Sequence, residues 1–130
     1  MNRNWKTMVV LAVGAVLAAL VPAAPASARA WSCGAGFVCF YTGANGGGSR
    51  CAWSVADPSW TGGTSVCSWA TTTNVKSVWN NGSSSSYTGV AYYLSRDYGN
   101  RVGCTPQGAR GNLVGDYKVL SHQWVTGSCG

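Results

Sequence analysis

The chain has 130 residues, nine Lys or Arg against three acidic residues, a formal net charge of +6 and only 9% charged residues. The acids are Asp57, Asp97 and Asp116, with no Glu, which argues against a hydrolase built on two carboxylates set across a sugar ring. The basic residues are scattered singly, without the stripe that a nucleic-acid or membrane-surface binder concentrates, so neither partner is expected.

Arg3 and Lys6 precede an apolar run from Met8 to Leu20, thirteen residues long and too short to span a bilayer comfortably. Pro22, Pro25 and small residues follow, which predicts a secretory leader over residues 1–30 with a cut after Ala28 or Ala30. The protein is therefore expected outside the cell, free of the membrane once cleaved, as one domain over residues 31–130. Removing Arg3, Lys6 and Arg29 leaves six basic residues against three acids, a mature net charge of +3.

Cys33, Cys39, Cys51, Cys67, Cys104 and Cys129 all follow the leader. An even count in a small exported chain reads as three disulfides, although six cysteines allow fifteen pairings. Cys33 and Cys39 are close enough to staple the entry of the first strand. Pairing within each half then gives Cys51 with Cys67 and Cys104 with Cys129 as the expectation. No Cys-x₂₋₄-Cys pair is present, which disfavours a structural zinc site.

No segment shows sustained helical periodicity, and Gly, Ser, Thr and Asn interrupt the chain every eight to twelve residues. That spacing predicts an all-β sandwich or barrel. The expected strands are Phe37–Tyr41, Ser49–Trp53, Val75–Trp79, Val90–Leu94, Arg101–Thr105 and Tyr117–Leu120. Gly82-Ser-Ser-Ser-Ser86 reads as a flexible connection between two halves, about 31–81 and 87–130, that share one core.

The halves echo each other. Phe40-Tyr41 is followed by Asn45 and Gly48; fifty-two positions on, Tyr92-Tyr93 is followed by Asp97 and Asn100. Gly48 and Asn100 are residues that tolerate positive φ, so each copy reads as a strand folding back in a tight hairpin. Gly46 stands where the second copy has the aromatic Tyr98, which predicts a looser first hairpin. Asn74-Val-Lys76-Ser77 and Asp116-Tyr-Lys118-Val-Leu-Ser121 form a second echo.

These signatures resemble the two Greek-key motifs of the βγ-crystallins. The opening Cys33-Gly-Ala-Gly-Phe-Val-Cys39-Phe-Tyr, Ser77-Val-Trp-Asn and Leu120-Ser-His122 more specifically resemble the secreted actinobacterial peptidase-inhibitor family related to the Streptomyces metalloproteinase inhibitor. The resemblance implies a late Ser that ties down each folded hairpin. It also implies a secreted inhibitor acting on an extracellular protease, a zinc metalloproteinase above all, through a rigid substrate-like loop. Asn100, Arg101, Val102, Gly103, Cys104, Thr105, Pro106 and Gln107 are the expected inhibitory loop, preferred over the matching stretch Gly48–Trp53 because Tyr98 can stiffen the residues after it. Val102 is its apolar anchor.

Catalytic chemistry is not expected. Ser121-His122 with a nearby Asp lacks a Gly-x-Ser-x-Gly frame, and His122 reads as a satisfied histidine at a strand end. Lysines intrude into the stretches where a βγ-crystallin would bind calcium, Thr73–Ser77 and Asp116–Lys118, so no metal and no cofactor are expected. Most tryptophans should be core, with Trp60, between Pro58 and Gly62-Gly63, exposed. The chain is expected to be a monomer. A cell-wall carbohydrate-binding module and a small antimicrobial or antifungal toxin are the competing functions.

Overall fold

The computed structural model describes residues 31–129; the leader and both candidate cleavage sites lie outside the described residues. Among the described residues, seven strands form two antiparallel sheets: β1 (Val38–Tyr41), β2 (Arg50–Trp53), β3 (Val75–Asn80), β4 (Gly89–Tyr93), β5 (Arg101–Pro106), β6 (Arg110–Tyr117) and β7 (Ser121–Val125). One sheet runs β2-β1-β3-β6 and the other β5-β4-β7. β6 comes from the second half yet pairs with β3 of the first. The first half reciprocates at Asp57, whose N–H and C=O both pair with His122 of β7. Each half thus lends one segment to the other's sheet, and this exchange makes two Greek-key motifs into one βγ-crystallin-like sandwich.

The core lies between the sheets. Val38, Phe40, Val75, Val78, Val90 and Val119 are fully buried, with Trp53, Trp60 and Tyr92 among them. Alternate β-branched and aromatic residues on the strands supply one face each, as the two-residue period of a strand requires. Phe40 is the hub, with the rings of Trp60, Tyr92 and Trp53 at centroid distances of 4.7, 5.7 and 5.9 Å.

Trp60 corrects an expectation. It is 0% exposed and stacks on Trp53 at 4.4 Å and 26°. Its flanking Pro58 and Gly62 do mark turns, but Trp60 N–H donates to Leu120 O and Trp60 O accepts from Cys67 N–H. Those bonds lay the segment along the second sheet and turn the indole inward.

The last strand is also misplaced in the sequence reading. Tyr117–Leu120 is mostly a connection, and two strands, β6 and β7, lie on either side of it. β6 escapes a hydrophobicity pattern because it is a polar edge strand, Arg-Gly-Asn-Leu-Val-Gly-Asp-Tyr, whose side chains include a fully exposed Val114. Its register against β3 slips between Val75↔Tyr117 and Ser77↔Asn112, so residues between them bulge outward.

The three disulfides are Cys33–Cys39, Cys51–Cys67 and Cys104–Cys129, the pairs expected, and no described cysteine is free. For a domain with so small a core, each bridge contributes about 2–4 kcal/mol.

Candidate functional site

The two folded hairpins superimpose in conformation. Asn45 has φ 55° and ψ 38°, and Asp97 has φ 57° and ψ 35°. The next residues, Gly46 and Tyr98, sit at φ 74° and 62°; Gly48 and Asn100 sit at 75° and 58°. Left-handed backbone is open to Gly and tolerated by Asn and Asp, which explains the echoed residues at all of these positions but Tyr98. The late serines do tie the hairpins down. Ser77 Oγ donates to Gly43 O (2.7 Å) and accepts from Gly46 N–H (2.9 Å); Ser121 Oγ donates to Ser95 O (2.6 Å) and accepts from Tyr98 N–H (3.2 Å). The exchanged segments dock on the same hairpins. Asn112 of β6 accepts from Asn45 N–H, and Pro58 O accepts from Asp97 N–H.

His122 has no route to catalysis. It is 0% exposed; its Nδ1 accepts from the Trp60 indole N–H at 2.8 Å, and its Nε2 bonds Val55 O at 2.9 Å. A carbonyl can only accept, so the proton rests on Nε2 and both nitrogens are satisfied in a neutral ring. Burial holds its pKa down at about 4.

The two lysine-bearing stretches meet across the β3–β6 boundary. Lys76 Nζ lies 2.6 Å from Asp116 Oδ1, and Lys118 Nζ donates to Asn74 Oδ1 at 3.2 Å. The Lys76 hydrogen bond and charge hold the Asp116 carboxyl below its ordinary range. Aligned on Ser77 and Ser121, Lys118 matches Asn74, so the echo of two Lys residues is an offset one. Its physical result is that each ammonium already occupies an oxygen that a cation would need.

Asn100 to Gln107 is not a loop. All but its two ends form β5, an edge strand that among the described residues pairs only with β4. Asn100 is exposed and closes the hairpin, its amide donating to Ser95 Oγ. Arg101 is exposed, and its guanidinium reaches Ser128 O and Cys129 O. Gly103 pairs with Tyr92, whose ring would lie 2.4 Å from any Cβ there. Cys104 is bonded to Cys129, Thr105 is buried with its hydroxyl 3.2 Å from Tyr92 OH, and Pro106 is exposed. Gln107 is half-buried, its amide donating to Ser84 O.

Val102 does not project as the sequence reading has it. β4 residues Tyr92 and Tyr93 pair with Gly103 and Arg101, which leaves Val102 as the extra residue of a β-bulge. Its side chain is half-buried against the core. The exposed side chains of this strand are Arg101 and Pro106.

Sequence reasoning missed Trp31. A Cβ at Gly46 would meet the backbone of Trp31 at 2.5–2.7 Å and its ring at 2.9 Å, so Trp31 fills the place of the aromatic that Gly46 lacks. The first hairpin is therefore braced. The signal was present as a Trp two residues ahead of Cys33, but its partner lies fifteen positions away.

A disulfide-stapled sandwich with a buried, neutral histidine and a braced edge strand has the features of a binding protein. The model of peptidase inhibitor family I36 matches residues 26–105, and the chain belongs to that family, which is the Streptomyces metalloproteinase inhibitor family. Its members act on peptidases without being enzymes themselves. No curated protein and no solved structure matches the chain. Among the described residues no helix is long and apolar enough to cross a membrane.

Proposed function

We propose that the protein is exported and, as a monomer, inhibits an extracellular zinc metalloproteinase by presenting β5 to the enzyme's substrate cleft. The observation that carries this reading is that β5 is an edge strand fixed at both ends. Its start is held by the second hairpin, its Cys104 by the bridge to Cys129, and Thr105 O by the buried amide of Asn80 (2.9 Å). An edge strand offers unpaired backbone groups to another extended chain, which is how a peptidase cleft grips substrate. Fixing the strand beforehand lowers the entropy lost on binding, and if the strand is cut its ends stay in place. Six residues of β5 with a bulge distinguish it from the regular four-residue edge β2. A bulge twists an edge and re-aims its backbone.

The experiment is a titration of the purified secreted protein against a thermolysin-like zinc peptidase and a subtilisin-like serine peptidase. Stoichiometric inhibition of the zinc enzyme is expected. Inhibition of the serine enzyme alone would overturn the target class, and inhibition of neither would overturn the reading.

A further inference from the structure

We infer that the cleft at one end of the sandwich, where the linker between the halves crosses β7, binds a neutral oligosaccharide. The cleft has a volume of about 290 Å³, room for one to two sugar rings, and is built from both halves. Tyr87 and Trp124 form its aromatic wall, with centroids 6.0 Å apart and planes inclined by 33°. Gln107, Gln123, Ser83 and Ser84 supply amides and hydroxyls beside them.

The chemistry of that lining selects the ligand class. None of its residues is Asp, Lys, Arg or His, so an ionic ligand finds no counter-charge. Two aromatic faces in a shallow V accept the C–H faces of a pyranose, while side-chain amides and hydroxyls exchange hydrogen bonds with its rim of hydroxyls. A peptide would be better served by a backbone ladder, and most of this lining comes from the linker and loops.

Two further observations point to a built site. Gln107 Nε2 donates to Ser84 O at 2.8 Å, but its buried Oε1 has no hydrogen-bond partner among the described residues. Such an acceptor is costly to leave unpaired, and lying closed off beneath Gly82 it can pair with a ligand hydroxyl only when the linker shifts to admit one. Gly82 lets the linker close on this wall. A Cβ there would lie 2.6 Å from the Trp124 ring and 2.8 Å from Gln107 Oε1. The linker is therefore seated against the aromatic wall, and Tyr87 is left 39% exposed at its mouth.

The test titrates the full secreted protein with the hexasaccharides of β-1,4-linked glucose, β-1,4-linked N-acetylglucosamine and β-1,3-linked glucose. Tryptophan emission, to which Trp124 contributes with five other tryptophans, is the readout, and an uncharged acetylated and amidated hexapeptide serves as the competing occupant. Saturable binding of at least one sugar is expected, weakened about tenfold by Tyr87→Ala, the effect of losing one stacking face. Ser83→Trp, which fills the cleft, should abolish it, and near-UV circular dichroism checks each variant's fold. Absence of sugar binding, binding unaffected by Ser83→Trp, or saturable binding of the peptide alone would overturn the proposal. No peptidase enters the assay, so its outcome is separate from that of the inhibitor reading.

Discussion

Trp31 lies over Tyr41 as Tyr98 lies over Tyr93: both ring pairs have centroids 5.6 Å apart in edge-to-face geometry. One motif carries its bracing aromatic inside the hairpin, and the other borrows it from the segment before its first strand. Trp31 also packs edge-on to Trp79 at 6.3 Å, and the Arg110 guanidinium sits 4.9 Å and 5.0 Å from the two indoles. Arg110 belongs to β6, so the same stack joins the first hairpin to the exchanged strand.

Trp31→Ala should therefore destabilise the protein by about 1–3 kcal/mol, a partly buried aromatic lost with its ring contacts. Arg110→Ala, which removes only the cation above the rings, should cost about 0.5–1 kcal/mol. Denaturant unfolding of both variants checks the order. A Trp31→Ala midpoint equal to the parent's would show that the first hairpin does not depend on it.

His122 predicts a pH dependence of stability. Its pKa is 6.5 when exposed and about 4 in the fold, where burial disfavours the charged ring. Above about pH 6.5 the ring is neutral in both states and contributes no slope. Between 6.5 and 4 the unfolded chain binds the proton and the folded one does not, so stability falls with pH, by up to about 3 kcal/mol in all. Below about 4 this contribution levels off. His122→Gln keeps a group that can accept from Trp60 and donate to Val55, and it should be less stable at neutral pH. Its melting temperature should lose the part of the acid slope due to His122; an unchanged slope would assign the effect to other groups.

Added calcium should leave the melting temperature unchanged at millimolar concentration. Calcium takes six to eight oxygen ligands, and here Lys76 and Lys118 bond the oxygens of Asp116 and Asn74. A rise of several degrees on calcium addition would mean that a cation displaces the ammonium groups, since a ligand specific to the folded state raises its stability.

Much of this architecture was legible because it is imposed locally. Positive φ at Gly48 and Asn100 needs particular residues, so the hairpins repeat in sequence as they do in space. Each disulfide closes within its own half, and the two anchoring serines were legible only because the motif repeats, since each lies 23 to 34 residues from the hairpin it ties down. The hidden part is non-local. Nothing in Trp60's neighbours shows that Leu120 and Cys67 will fold it inward, and nothing near Gly46 shows that Trp31 fills its place. β6 carries polar residues and glycines because half of it bulges from an edge. Arg101–Thr105 was legible as a strand and lies within β5, but the bulge that turns Val102 to the core is set by pairing with β4.

The inhibitory surface gives the last prediction, and Val102 is not its best probe. A charge at a half-buried, core-packed position acts first on the fold, so Val102→Asp should lower stability whatever it does to inhibition. Arg101 and Pro106 are the exposed side chains at the two ends of β5, and neither contributes to the core. Pro106 has no backbone N–H to lose, and Arg101 gives up only its contacts with the C-terminal carbonyls. Arg101→Glu and Pro106→Glu should each weaken inhibition of the zinc peptidase by at least about tenfold while the melting temperature stays near the parent's. Arg50→Glu, at the start of β2, an edge strand of the other sheet, is the matched control and should leave inhibition intact. The bridge supplies an independent arm. Replacing Cys104 and Cys129 together by Ser should cost about 2–4 kcal/mol and turn a slowly released inhibitor into a peptide that is cleaved and lost. If Arg50→Glu abolishes inhibition and the β5 variants do not, the reactive edge is β2, and the brace that makes it competent is Trp31.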